Sequence, residues 1–353
     1  MNLESPDVPL PDDTARDDAA ERLAALDLPG AGFGALADAI GWAAAVQGTP
    51  NPQPFSSLRV VLLATDHRGG ASAGTSPETS VRRARQAVTG GGPLARLAAR
   101  TDATLEVIDV GLAGEPLAAD STTRIRDGAA PIETEDASTA DEIAAGHALG
   151  RKLADSLTDV GVDLVVLGSL GAGADTAAAA VASFLTGAEP AVLLGRVTGP
   201  DGSIDDAAWM VRCAAVRDAL HRVRQRPRDA ETALVALGGP DLAVATGLLV
   251  GAASRRTPVL LDGPVGLTAA LLARDLAGAA THWCLAPDTS RHPTAEAAAR
   301  QIGLEPYADL RLDLGEGAAA LAALALLQAA LDLAHTADVV AAATSAGTEP
   351  ADS

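Results

Sequence analysis

The stretch that most constrains this chain runs from Val162 to Gly187. It opens with the apolar run Val162-Asp163-Leu164-Val165-Val166-Leu167. It continues through Gly168-Ser169-Leu170-Gly171-Ala172-Gly173-Ala174-Asp175-Thr176 and closes at Phe184-Leu185-Thr186-Gly187. A short β-branched run bounded by glycine is the pattern of a strand buried on both faces of a parallel sheet. Closely spaced glycines let the backbone turn tightly and approach a neighbour or a ligand. Asp175 or Thr176 can cap the helix that follows, and the free N–H groups of a helix start favour an anion. The GxxGxG spacing matches neither a dinucleotide fingerprint nor a Walker loop. On the residues alone, a phosphate cradle and an ordinary strand-to-helix turn both remain open.

Further strand-like runs lie at 58–64, 105–110, 191–195, 257–262 and 281–286, with helical stretches between them at 77–88, 93–100, 140–160, 205–223, 239–254 and 267–276. Such alternation predicts an α/β fold whose mostly parallel sheet is covered on both faces. Ligands of these sheets sit at strand carboxyl ends, so Thr65-Asp66-His67-Arg68-Gly69 is a second candidate site. Its plainer reading is a hydrogen-bond pair, Asp66 with His67, anchoring a loop. The polar segment 111–139 is long for a loop inside a compact domain, as functional or mobile segments are. Residues 1–13, acidic and bearing prolines, are expected to be disordered, and helices are expected at 14–26 and 34–47.

Hydrophobic residues are 48% of the chain but aromatics only 2%, so Ala, Leu and Val must build the core through many small contacts. The net charge of −20 supplies no basic patch to replace phosphate counterions, which argues against a nucleic-acid partner. Cys213 and Cys284 form no disulfide framework or metal spacing, and the histidines lack an HxxxH pattern; no metal and no cofactor are expected. The amino terminus lacks a basic-then-apolar signal pattern. The apolar run 318–327 is too short to cross a bilayer and reads as a buried helix. The expectation is a soluble, cytoplasmic protein with no membrane partner.

Glu316 stands between Gly315 and Gly317 at the start of a very apolar helix. A carboxylate there is favoured by the helix dipole, and the glycines leave room for a ligand beside it. A plain first-turn glutamate is the alternative. Taken with Leu314-Gly315-Glu316-Gly317, the segments Leu261-Asp262-Gly263, Gly238-Gly239, Leu185-Thr186-Gly187, Ala64-Thr65-Asp66-His67 and Val46-Gln47-Gly48 give a series whose order and spacing, over residues 34–335, resemble the nicotinate-nucleotide–dimethylbenzimidazole phosphoribosyltransferases.

The resemblance implies a three-layer Rossmann-like domain over 58–317. It also implies a small helical domain from 14–57 with 318–340, a tail at 341–353, and a homodimer. The implied reaction moves ribose 5-phosphate from nicotinate mononucleotide to a benzimidazole-type base. Glu316 matches the family's catalytic glutamate. Gly168, Ser169, Gly171, Gly173, Asp175 and Thr176 match its phosphate and ribose loop, while Gln47, Asp66 and His67 fall on its base side. Gly199, Arg212, Asp262 and Gly315 complete the implied substrate-binding set, and no metal is implied. Several positions depart from the family pattern. Ser169, Ala174 and Asp175 stand where the family has Glu, Asn and Thr, and Arg96 and Arg212 replace an Asn and a Lys. His292-Pro293-Thr294-Ala295 replaces Glu-Pro-Gly-His. Asp175 would bring a charge toward the phosphate unless it only caps the helix. Two functions follow: an active phosphoribosyltransferase, or a catalytically degenerate paralogue that binds an azole or partners an active homologue as a regulatory subunit.

Overall fold

The computed structural model describes residues 3, 6–119, 121–199 and 202–339. It divides into a larger unit, Met1–Pro11 with Phe55–Leu326, and a smaller one, Asp12–Pro54 with Leu327–Ser353. The expected tail at 341–353 lies outside the described residues.

Among the described residues the larger unit holds five parallel strands in the order β2-β1-β3-β4-β5. These are β1 (Leu58–Thr65), β2 (Thr104–Gly111), β3 (Leu164–Leu170), β4 (Val259–Leu261) and β5 (Cys284–Leu285). In β1 and β3 burial is nearly continuous rather than alternating, as strands covered on both faces require. Right-handed crossovers put the helices between β1 and β2 on one face, and those leading to β3, β4 and β5 on the other. The direction of travel therefore reverses between β1 and β3. Their carboxyl ends, held level by the pairing of Leu62 with Gly168 and of Ala64 with Leu170, form the switch point where such sheets bind ligands.

Local chemistry shifted several expected elements. β3 continues through Gly168, Ser169 and Leu170, all paired to β1, so the glycine loop is shorter than its sequence suggests. The run expected as a strand at 191–195 is the short helix Pro190–Leu193, because Pro190 takes the first helical position, where its fixed φ and missing N–H suit a helix start. Helix Pro293–Ile302 starts the same way behind His292. Gly238-Gly239 opens helix Gly239–Ser254, as expected, with Gly239 at φ +75°; a π-turn over Leu234–Gly238 leads into it, and the helical stretch as a whole runs Ala230–Ser254. Ala318–Thr336 extends well past the apolar run.

By length and composition both of these helices could cross a membrane, but 94% of the first one's apolar window is buried inside the protein, as befits a core helix. Within the amino-terminal segment, which is expected to be disordered, the described residues Leu3 and Pro9 make specific contacts. Leu3 is buried with its N–H on Glu231, and the Trp283 ring N–H donates to the Pro9 carbonyl at 2.7 Å. Both cysteines are free thiols, and burial pushes that of Cys284 up to about 12.

In the smaller unit, helices Asp13–Ala24 and Leu36–Gln47 pack together. Arg22 joins them to the last turn of Ala318–Thr336 by donating to the Ala334 carbonyl at 2.9 Å and to Asn51 Oδ1 at 3.1 Å.

Candidate active site

The site begins at a turn that a polypeptide adopts reluctantly. Gly315, Glu316 and Gly317 all have positive φ, at +71°, +61° and +95°. For glycine this is ordinary, but for a glutamate it stores about 1–3 kcal/mol of strain that the surroundings must hold. Two contacts do so. A Cβ on Gly168 would fall on the Glu316 carbonyl, so the middle of β3 has to be glycine for the turn to lie against it. Beyond β4, Asp262 Oδ2 accepts the N–H groups of Ala319 and Ala320 at 3.1 and 3.4 Å, capping the helix directly after the turn. Burial pushes the Asp262 carboxyl up, and the amide donors offset this only in part. Asp262 thus fixes the backbone that carries Glu316.

The Glu316 side chain is 16% exposed, and its Oε1 accepts from Arg83 Nη1 at 3.3 Å. Both residues line a cavity of about 270 Å³ together with Arg82, Gln86, Gly91, Gly92, Leu94 and Leu314. That volume is near the lower end for small-molecule sites. A carboxylate at the wall of such a cavity can take a proton from a heterocyclic N–H.

Asp66 and His67, at the end of β1, are buried and do not pair with each other. Asp66 Oδ1 accepts from Ala172 N at 2.8 Å and Oδ2 from Ala113 N at 2.9 Å, tying the β2 and β3 ends to β1. His67 Nε2 meets Asp241 Oδ1 at 3.1 Å, and its backbone N–H reaches the Ala172 carbonyl at 2.7 Å. The loop is anchored, as the plainer reading had it, but through different partners. A Cβ on Gly171 would collide with the Thr65 carbonyl, so this glycine lets the β1 and β3 ends touch.

Asp175 is not a bare charge. Its Oδ2 accepts from Arg212 Nη1 at 2.8 Å and its Oδ1 from Thr176 N at 2.9 Å. Arg212, 2% exposed, also donates to Thr176 Oγ1 at 3.2 Å and to the Ala73 carbonyl at 2.7 Å. Asp175 and Arg212, both singled out in the sequence, therefore form one ion pair. Burial opposes the Asp175 charge, but Arg212, then His292 and the Thr176 amide, outweigh it and hold the carboxyl below the usual range. His292 is pushed the other way: burial lowers its pKa, with Asp175 and Asp313 resisting. Its Nδ1 accepts from Thr294 N at 3.3 Å, while its Nε2 is buried without a partner. A cationic guanidinium and an unsatisfied imidazole nitrogen at a helix start are groups that an anionic substrate could use.

The Asp175–Arg212 pair has a pH signature. Because the folded pKa is depressed, the pair's contribution is fully present above the ordinary value of 3.8 and disappears as pH falls through the lower folded value. Asp175→Asn should lower stability at neutral pH by about 1–2 kcal/mol. That is less than the loss of a fully buried partner, since the Asp175 side chain is 35% exposed. Denaturant unfolding at neutral and at strongly acid pH checks this: the gap from wild type should narrow in acid, and an unchanged gap contradicts it.

The structure thus brings together Gly168, Ser169, Gly171, Gly173, Asp66 and His67 at the β1–β3 switch, with Glu316 and Gly317 against Gly168 and Gly315 opening the same left-handed turn. Asp175, Thr176 and Arg212 form a second cluster just beyond. Gly199 donates its N–H to the Ser203 carbonyl at 2.8 Å. Gln47 belongs to the smaller unit, where its amide grips the Gln53 backbone through two bonds of 2.8 and 2.9 Å. Sequence reasoning missed Arg83 and Asp241. Asp241 had a signal in the Gly238-Gly239 segment beside it, whereas Arg83 is one of several arginines on a polar helix and had none. Among the described residues no group of His, Cys, Asp or Glu is placed to hold a metal.

Comparison with known proteins gives one consistent picture. The profile of a phosphoribosyltransferase family matches residues 8–344. The nicotinate-nucleotide–dimethylbenzimidazole phosphoribosyltransferase of Streptomyces avermitilis is 41% identical over 331 residues, covering 92% of this chain and 87% of that protein. The protein of the same name from Mycobacterium tuberculosis is 40% identical over 328 residues, covering 92% and 90%. The crystal structure of CobT from Thermus thermophilus superposes with a TM-score of 0.83 at 28% identity, covering 91% of this chain and 96% of that one.

Proposed function

The chain belongs to the nicotinate-nucleotide–dimethylbenzimidazole phosphoribosyltransferase family, and from that premise we propose how its cleft carries out the transfer. Ribose 5-phosphate moves from nicotinate mononucleotide to a benzimidazole-type base, giving α-ribazole 5′-phosphate and nicotinate. One acceptor nitrogen forms the new bond to C1′ as the bond from C1′ to the nicotinate nitrogen breaks. The bonding pair leaves with nicotinate and neutralises its pyridinium charge, so the leaving group needs no acid. The acceptor's other ring nitrogen must lose its proton, and Glu316 takes it.

One observation carries this reading: Glu316 occupies a left-handed turn seated on Gly168, at the carboxyl ends of β1 and β3, with its carboxylate on the wall of a cavity. A plain first-turn glutamate would need none of that strain or close packing. Arg212 and His292 are the groups we assign to the donor phosphate. The fully formed Glu316 turn favours the active enzyme over the degenerate paralogue.

Incubating the purified protein with nicotinate mononucleotide and dimethylbenzimidazole tests the reading. Nicotinate release that requires the base supports it. Release without the base, or no release, rejects it.

We further propose that two copies associate. Val192, Met210 and Val211, on the packed pair of helices Pro190–Leu193 and Asp206–Val223, are 65%, 60% and 49% exposed in a chain of net charge −20. Large apolar side chains left this exposed suit a protein partner. Sedimentation equilibrium should give twice the chain mass, and a monomer mass at all concentrations would exclude the dimer. We place the protein in the cytoplasm, where two free thiols are stable.

A further inference from the structure

We propose that Arg83 is a positioning residue for Glu316: it holds one carboxylate oxygen so that the other faces the acceptor N–H. The contacts at Gly168 and Asp262 fix the glutamate backbone, but they leave its side-chain torsions free. Among the described residues, the hydrogen-bond partner of the carboxylate is Arg83, at Oε1. Oε2 is left to receive a proton.

Arg83 is well placed for this because its own helix is docked to the same loop. Ser80, one turn earlier on Pro77–Val88 and on the same face, accepts the Ala172 N–H at 3.0 Å. That amide also binds Asp66 Oδ1. Ser80 is 4% exposed, and Ala84 and Ala87 on this helix are buried too. The base of Arg83 is thus anchored to the β3 end while its guanidinium lies beside Glu316 in the cavity wall.

In the transfer step, the acceptor N–H proton passes to Oε2 as the second ring nitrogen bonds to C1′ and the nicotinate bond breaks. Arg83 neither gains nor loses a proton; it orients the carboxylate and balances its charge. The contact is half open to solvent, with Arg83 54% exposed, so its influence should be moderate and screened by salt.

The inference rests on the phosphoribosyl-transfer reading, and a double-mutant cycle separates the two. Single-turnover nicotinate release, with enzyme in excess, is measured for wild type, Arg83→Met, Glu316→Gln and the double variant. Arg83→Met should slow the wild-type reaction about fivefold, with the apparent acceptor affinity changed less than about twofold, while in the Glu316→Gln background it should change the rate less than about twofold. Arg83→Lys should recover most of the loss. Raising ionic strength should slow wild type and leave Arg83→Met unaffected. Equal losses in both backgrounds would mean that Arg83 touches the acceptor or only supports the fold, and would overturn the inference, as would no loss at all. A wild-type protein that releases no nicotinate sinks the transferase reading and this inference together, whereas active wild type with additive losses sinks this inference alone.

Discussion

Replacing Glu316 by Gln should lower turnover by about 10²–10⁴-fold, the usual contribution of a positioned general base. Glutamine keeps the shape and still fits the left-handed turn, so the cavity and its neighbours persist. What is lost is the ability to take the acceptor proton, and that matters mainly in the transition state. The deficit should therefore fall on kcat, with acceptor affinity nearly unchanged. Steady-state kinetics with both substrates varied would show it. An unchanged kcat would reduce Glu316 to a helix-start residue and send the proton elsewhere.

Gly168→Ala is expected to be nearly as damaging, although the residue is not a reacting group. Its Cβ would fall on the Glu316 carbonyl and crowd the Gly317 N–H. Both obstacles are backbone, so no side chain can swing aside. Gly168 is paired within β3 to Leu62 of β1, so the strand is poorly placed to yield and the Glu316 turn must move instead. A displacement of about 1 Å at a catalytic group can reduce the rate about 10²-fold. The variant should fold, with thermal unfolding somewhat lowered, and lose at least about 10²-fold in activity. Full activity with Ala at this position would show that the close approach of turn and strand is dispensable.

The sheet was legible because parallel strands covered on both faces leave unbroken apolar runs. β1 and β3 stand out in the sequence for that reason, and their glycine-bounded ends mark the switch point. Glu316 was legible through the two glycines around it, which are needed where the backbone enters the left-handed region. The partners were not legible. Glu316 and Arg83 lie 233 positions apart, and nothing local distinguishes Arg83 from its neighbouring arginines. Asp66 and His67 look like an adjacent pair, yet they bind in different directions because successive residues of extended backbone point to opposite sides. Asp175 looked like an intruding charge until its partner Arg212, 37 positions away, came into view. The glycine run looked like a loop throughout, although its first residue is a strand position where glycine is needed for a neighbour from the other end of the chain.

The most direct test of the central claim, that Glu316 receives the acceptor proton, is a crystal structure with the acceptor base bound. A ring nitrogen should lie within about 2.6–3.2 Å of a Glu316 carboxylate oxygen, with Arg83 still on the other oxygen. A base bound productively beside the donor site, with its ring nitrogens turned away from Glu316, would contradict it.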